Sequence, residues 1–300
     1  MKKPLLFFAL FGQMLFAQQI NVTSVTLVKS TEAGGYFYPI FSPACDYLLA
    51  TSVNYSGLKQ ITIADNSVRT ISTDAGAGYG VQISADGNSI LYKKTTFENN
   101  LRSNSVISYS RTTGKHEQLV APTREAITQK FADNKPQFVK GKTLTRNNIS
   151  IAETAPVICI EDQKMVLYTA GSRKELVPNG SDASYFWASI SPDRKNIAYT
   201  VAGKGTFVCR IDGTNSKSLG KLNAPVWLNN QWLVGMDDKD DGERLLSSTL
   251  ITLTIDGKVR QTLTTPANKM AMYPAASADG SRIAYNTEKG EVYLLNVQIK

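Results

Sequence analysis

A ten-residue pattern that recurs four times limits what this chain can fold into more than any other feature. It reads FSPACDYLLA from Phe41, ISADGNSILY from Ile83, ISPDRKNIAY from Ile190 and ASADGSRIAY from Ala276. Each copy carries a serine in second place, at Ser42, Ser84, Ser191 and Ser277. In Ser84-Ala85-Asp86-Gly87 and Ser277-Ala278-Asp279-Gly280 the Ser and Asp oxygens can accept from nearby backbone N–H groups, and Gly supplies the positive φ of a tight hairpin. The residues after each turn (Ile90-Leu91-Tyr92, Ile197-Ala198-Tyr199, Ile283-Ala284-Tyr285) are apolar at consecutive positions, as in a strand buried on both faces between neighbouring sheets.

The serines are separated by steps of 42, 107 and 86 residues. Halving the two longer steps places degenerate units near residues 138 and 229 and predicts six units of roughly 40 to 55 residues, the period of β-propeller blades. The expectation is therefore an all-β, six-bladed propeller of four-stranded blades. Hairpin arms such as VRTIS from Val68, RKELV from Arg173 and VRQTL from Val259 read as outermost strands. The last unit stops after EVYLLNVQIK without such an arm, whereas INVTSVTLVKST near the start resembles an arm with no blade before it. Closing the ring with that N-terminal strand removes the exposed edge. The third unit, about residues 131 to 178, lacks the serine turn, and KPQFVKGK or NNISIAET fits its innermost strand equally well. The fifth has Asn229-Asn230 as its turn.

Lys2 and Lys3, the apolar run Leu5 to Phe16 and Ala17 form the three regions of a secretory signal peptide. The expectation is a leader over residues 1–17 and one propeller domain over 18–300, periplasmic or secreted, beginning at Gln18 or Gln19 and with no transmembrane segment. Without the leader, 31 basic residues face 25 acidic ones. The excess forms no Lys/Arg stripe, so nucleic acid is not an expected partner, while contact with an anionic envelope surface is permitted. The odd count of cysteines (Cys45, Cys159, Cys209) favours free thiols. A single histidine, His116, sits in a polar hairpin and excludes sites built from several His ligands. No Gly-x-Ser-x-Gly elbow is present, and AGAGYG at 75–80 reads as a connection between blades.

Two constellations could carry function. In the first, Asp237, Asp238, Asp240, Asp241 and Glu243 crowd around Lys239 and Gly242. Their spacing departs from a calcium-hand loop, so a solvated hairpin turned by Asp241-Gly242 stands beside a cation site, such as calcium on Asp237, Asp238, Asp240 and Asp241. The second is aromatic. Tyr36, Phe37, Tyr38, Tyr79, Phe131, Tyr185, Phe186, Trp187, Trp227 and Tyr273 stand at or just before the expected innermost strands, where they either converge on one channel mouth or pack between blades. The expected ligand set is Tyr38, Tyr79, Tyr185, Trp187, Trp227 and Tyr273 with Asp237 and Asp238 on the same face.

At SPDRKNIAYT and SADGSRIAYN the chain resembles the TolB-like six-bladed propellers, whose repeats carry Ser-Pro-Asp-Gly turns before Ile-Ala-Tyr-like strands. With GKGT at 203–206 and GMDDKDDGE from Gly235 it is similar to secreted TolB-like proteins of Bacteroidetes-type bacteria. The family's founding member carries an α/β domain ahead of its propeller and works in the Tol–Pal system; no room for that domain exists between residue 18 and the first repeat near 36. The resemblance implies fold, and function by analogy alone. The expectation is an exported monomeric binding propeller without a required cofactor, its partner an envelope protein or glycan. The rival is a polysaccharide-degrading enzyme that uses a carboxylate pair drawn from Glu32, Asp182, Asp237 and Asp238.

Overall fold

The computed structural model describes residues 18–30, 34–146, 155–170 and 172–300. The expected leader (1–17), Glu32 and the segment NNISIAET (147–154) lie outside them. Strand β1 (Ile20–Lys29) belongs to the last sheet. Blade 1 follows with β2 (Phe37–Phe41), β3 (Tyr47–Thr51), β4 (Leu58–Thr62) and β5 (Val68–Ser72), and blade 2 with β6 (Gln82–Ile83), β7 (Ser89–Glu98), β8 (Leu101–Ser110) and β9 (His116–Thr123). Blade 3 has β10 (Ile127–Ala132), β11 (Lys135–Lys140) and β12 (Thr143–Arg146), and blade 4 has β13 (Val157–Glu161), β14 (Lys164–Thr169) and β15 (Ser172–Leu176). Blade 5 comprises β16 (Tyr185–Ile190), β17 (Asn196–Val201), β18 (Gly205–Arg210) and β19 (Lys217–Gly220). Blade 6 comprises β20 (Asn223–Trp227), β21 (Trp232–Asp240), β22 (Leu245–Thr254) and β23 (Arg260–Thr262). Blade 7 is β24 (Met272–Ala276), β25 (Arg282–Asn286) and β26 (Val292–Ile299), with β1 outermost.

The blade count is seven, which corrects the expected six, and two of the blades have three described strands rather than four. The hydrophobic core shows the same number. Seven clusters each join two consecutive blades, from Tyr47 and Leu49 against Ile90 and Tyr92, round to Leu48 and Ala50 against Ala284 and Leu294. The error lay in the longest serine step, which spans three blade intervals instead of two. Blades 3 and 4 open with regular hairpins: β10 pairs with β11 in unbroken register from Ile127↔Lys140 to Ala132↔Lys135, and β13 with β14 from Val157↔Tyr168 to Glu161↔Lys164. Their two-residue turns, Asp133-Asn134 and Asp162-Gln163, need only left-handed backbone at Asp133, Asp162 and Gln163, so no serine marks them. KPQFVKGK falls on β11, the second strand of blade 3, not on an innermost strand.

The serine turns hold blades 1, 2, 5 and 7 by one scheme. The Ser84 hydroxyl donates to Asp86 Oδ1 at 2.5 Å and accepts from the Ser89 amide at 2.8 Å. Ser191 and Ser277 bond Asp193 and Asp279 in the same way and accept from the amides of Asn196 and Arg282. Ser42 reaches two residues further, to Asp46. These serines are buried, and each turn places a left-handed residue (Cys45, Gly87, Arg194, Gly280) where the chain reverses. Hydrogen bonds from the Ser277 hydroxyl, then from the Ser281 amide and hydroxyl, hold the Asp279 carboxyl at about 2. Asp86 and Asp193 are lowered first by their own serines.

Strand β1 pairs with β26 from Ile20↔Ile299 to Lys29↔Val292. Ile20 is wholly buried, and Gln261 of blade 6 both accepts from its amide at 3.0 Å and donates to its carbonyl at 2.6 Å. The first strand thus ties blade 7 to blade 6 as well as completing its own sheet. All three cysteines are free thiols, and no helix among the described residues is long and apolar enough to cross a membrane.

Deleting residues 20–29 removes this strand, uncovers the edge of β26 and empties the Ile20 and Val28 sites. The thermal midpoint, followed by circular dichroism, is expected to fall by about 10 °C or more; an unchanged midpoint would show that the closure carries no stability. A second expectation concerns acid. A carboxyl whose folded value lies below its ordinary value contributes stability above that ordinary value and loses it as pH falls toward the folded one. The thermal midpoints of the wild type and Asp279→Asn should therefore differ at neutral pH and converge as pH drops from 3.8 toward about 2.

Candidate functional site

In five blades the residue four places before the turn, at the start of the innermost strand, has left-handed backbone: Tyr38, Gly80, Trp187, Ala224 and Tyr273, with φ of 53°, 66°, 52°, 47° and 50°. In four of them pairing with the second strand breaks there, between Phe37 and Ile40, Phe186 and Ser189, Asn223 and Val226, and Met272 and Ala275. These are β-bulges, which swing one residue out of the ladder and re-aim its side chain. Only Gly80 takes such a backbone without strain; a non-glycine residue gives up about 1–2 kcal/mol there. Three of the four strained positions are aromatic. The amide freed at Tyr38 donates to Oδ1 of the buried Asn286 at 2.9 Å, so the distortion is satisfied rather than left open.

The bulges gather aromatic rings at one mouth of the channel. Tyr38 stacks on Tyr55 with centroids 4.3 Å apart and lies 4.6 Å from Tyr273, while Tyr55 meets Tyr79 edge-on at 5.4 Å. Burial, followed by the neighbouring Tyr55 hydroxyl, pushes the Tyr38 phenol up to about 12, and burial also raises Tyr55 and Tyr273. These rings, with Pro39 and Pro274, bound a cavity of about 430 Å³ drawn from blades 1, 2, 6 and 7. Tyr79 also borders cavities of about 330 and 590 Å³, reached across blades 2 to 5 and lined by Lys93, Lys130, Arg102, Arg124 and Trp187. No Asp or Glu lines any of the three.

The expected site residues separate into groups. Tyr38, Tyr79, Trp187 and Tyr273 stand at the mouth, with Tyr79 54% and Trp187 43% exposed. Tyr185 and Trp227 do not join them. Tyr185 is buried between blades 4 and 5, its hydroxyl accepting from the Asn179 amide and donating to the Gly180 carbonyl. Trp227 is buried between blades 5 and 6 and donates to the Ser189 carbonyl at 3.2 Å. Phe186 packs edge-on against Trp187 at 5.0 Å. Tyr55, in the loop between β3 and β4, belongs to the cluster although sequence reasoning passed over it.

Asp237, Asp238 and Asp240 are strand residues of β21, paired with Thr249, Ser248 and Leu245, and Asp241 opens the turn. Asp238 accepts from the Asn223 side chain, Asp240 from the Gly242 amide, and Asp241 from the amides of Glu243 and Arg244. Among the described residues no three His, Cys, Asp or Glu side chains gather in a form that could hold a metal ion. Asn223, which donates to Asp238, stands next to the bulge at Ala224, and the Asp238 carboxylate adds to the raising of the Tyr273 phenol, so Asp238 lies beside the aromatic side of the mouth. Asp182 lies on an exposed loop after β15 and accepts from the Ser181 hydroxyl. His116 does not reach the mouth; its ring contacts Tyr92 and Tyr109.

No family model matches the chain, and no curated protein does. Solved structures do. TolB from Acinetobacter baumannii is 17% identical with a TM-score of 0.55, over 83% of this chain and 58% of that one. A putative TolB from Agrobacterium tumefaciens is 16% identical with a TM-score of 0.57, over 94% of this chain and 97% of that one. An oligogalacturonate lyase from Vibrio parahaemolyticus is 12% identical with a TM-score of 0.50, over 89% and 79% of the two chains. The chain spans 58% of the length of the Acinetobacter TolB. The likeness to the two TolB structures supports a TolB-like propeller fold.

The strained bulge at Trp187 yields a test of whether the fold or the mouth needs the ring. Trp187→Gly relieves the left-handed backbone and loses only a half-exposed side chain, so its thermal midpoint should equal or exceed that of Trp187→Ala, which keeps the strain. Calorimetry checks this; a lower midpoint for the Gly variant would mean that the bulge is not strained.

Proposed function

We propose that this protein is an exported propeller that acts by binding, holding a protein or glycan of the cell envelope against the aromatic channel mouth. The observation that carries this reading is the convergence of Tyr38, Tyr273 and Trp187, each on strained backbone, around an open mouth. Strained backbone that projects an aromatic ring at three corresponding positions of the ring of blades supports a role in binding, since such strain clusters at ligand sites. Planar rings offer large contact area at low cost in side-chain entropy and suit both sugar faces and peptide side chains. The likeness to TolB-like structures is in keeping with a propeller that binds.

A carboxylate-dependent polysaccharide enzyme is the second reading, favoured by the fold likeness to an oligogalacturonate lyase. Against it stands the lining of the mouth cavities, which lacks Asp and Glu. Glycosidic acid–base chemistry through a carboxylate pair needs two of them facing each other.

The test is capture of ligands from envelope extract and glycan arrays, followed by titration of variants. Tyr273→Ala should weaken binding about 30-fold or more while far-UV dichroism stays native, the loss typical of an anchoring aromatic ring. Asp237→Asn should give a smaller loss that shrinks with added salt. Undiminished binding by Tyr273→Ala would place the site elsewhere, and shortening of a polysaccharide by the wild type would replace binding with catalysis.

A further inference from the structure

The mouth is chemically divided. Its blade 1 and blade 7 side is aromatic, whereas the side spanning blades 2 to 4 carries Lys93, Lys130, Arg102 and Arg124 around the adjoining cavities. Among the described residues no carboxylate forms an ion pair with any of these four cations, although many other lysines and arginines of the chain have such a partner. Lys93 lies over the Tyr79 ring at 5.1 Å, and its ammonium is pushed down to about 8 by burial and by the nearby Arg102. Burial pushes the Lys130 ammonium down as well. Lys93 and Lys130 are half-buried without a counter-charge, while Arg102 and Arg124 line the adjoining cavity from exposed positions; burying an unpaired cation is costly, by several kcal/mol per ion when desolvation is complete. A fold gains nothing from that arrangement, and an anion arriving in the cavity removes the cost.

A second, independent feature lies in the same wall. Gln129, 2% exposed, donates from Nε2 to the Gly80 carbonyl at 3.0 Å, which fixes the amide's orientation. Its Oε1 is buried without any donor. An orphaned acceptor calls for a hydroxyl or N–H, which a bare anion cannot supply. The ligand that answers both demands carries a carboxylate and a hydroxyl on one small frame. Tyr79 and Trp187, both substantially exposed, border the larger cavity with planar faces of the kind that stack on pyranose rings.

We propose that the basic side of the mouth binds an acidic oligosaccharide of the uronate class, with Lys93 and Lys130 holding the sugar carboxylate, Gln129 Oε1 accepting from a ring hydroxyl, and Tyr79 and Trp187 flanking the sugar. This rests on the mouth being the binding site. An acidic peptide meets the charge but offers the carboxylate on a flexible chain, without a hydroxyl fixed beside it. Cavities of about 330 and 590 Å³ that share Tyr79, Lys93, Thr128 and Ala188 lie in the size range of sites for ligands of a few hundred daltons.

The experiment is isothermal titration of the full chain with short oligogalacturonate, its fully methyl-esterified form, a neutral cello-oligosaccharide and poly-glutamate. Oligogalacturonate should bind at least 10-fold more tightly than its ester and than poly-glutamate, and less tightly as salt rises. Lys93→Met and Lys130→Met should each lose 10-fold or more while melting at or above the wild-type temperature, because each removes an uncompensated cation. Gln129→Leu, which deletes the orphaned acceptor, should lose affinity for the acid and the ester alike. Equal binding of acid and ester, or poly-glutamate as the best ligand, would overturn the uronate assignment and leave the mouth as a site for another ligand. Absence of binding by every probe, with Tyr273→Ala still impairing capture of envelope material, overturns it likewise. If Tyr273→Ala and both lysine variants leave all binding untouched, the mouth itself is not the site.

Discussion

Every blade of this molecule is apolar on both faces, and each face is covered only by the next blade. The second strands show it most clearly: all five residues of β3 are buried, as are five of the six in β17. A strand of that kind cannot stop at a solvent-facing edge of the ring, so seven blades are stable together and not in part. The demand falls hardest where the chain ends meet. There β1 supplies the outer strand that β26 lacks, and Gln261 clamps Ile20 from the neighbouring blade. The rest of the structure depends on this closure.

A ring held by its inter-blade cores has stability to spare at its axis, and the innermost strands are where it is given up. The bulges at Tyr38, Trp187, Ala224 and Tyr273 each interrupt a ladder and hold a non-glycine residue in the left-handed region. Blades 3 and 4, whose first hairpins run in unbroken register, have no bulge there. Blade 3 adds Gln129 and Lys130 to the mouth and blade 4 adds Ile158, instead of a projected ring. The basic side of the mouth therefore draws on both hairpin designs, with Lys93 and Arg102 from the serine-turn blade 2 and Lys130 from blade 3.

That division also explains what was legible in the sequence. Ser84-Ala85-Asp86-Gly87 is visible because its turn uses side-chain hydrogen bonds that only certain residues can make. The turns Asp133-Asn134 and Asp162-Gln163 use backbone conformation alone, so two short blades passed for one long unit and the count fell one short. The N-terminal strand was readable because an unpaired arm at one end matched a missing arm at the other. Among the aromatics, Tyr185 and Trp187 are two residues apart and in a regular strand would share a face. The bulge between Phe186 and Ser189 breaks the alternation and sends Tyr185 into the core and Trp187 to the mouth. Tyr55 carried no strand signal at all, and Lys93 and Lys130 gave none that distinguishes a channel cation from a surface one.

Charge is arranged across the mouth as well as within it. Asp238 of the β21–β22 hairpin acts on Tyr273 from the blade 6 side, whereas Lys93, Arg102, Arg124 and Lys130 approach Tyr79 and Trp187 from blades 2 and 3. Both sets flank a continuous run of rings from Tyr273 through Tyr38 and Tyr55 to Tyr79. A field of that shape does not add much to affinity at its exposed rim, but it favours one orientation of a charged ligand over its reverse. The rings give contact area without direction, since a planar face accepts a ligand either way round. Direction comes from the charges, and the two half-buried ones, Lys93 and Lys130, lie on blades 2 and 3.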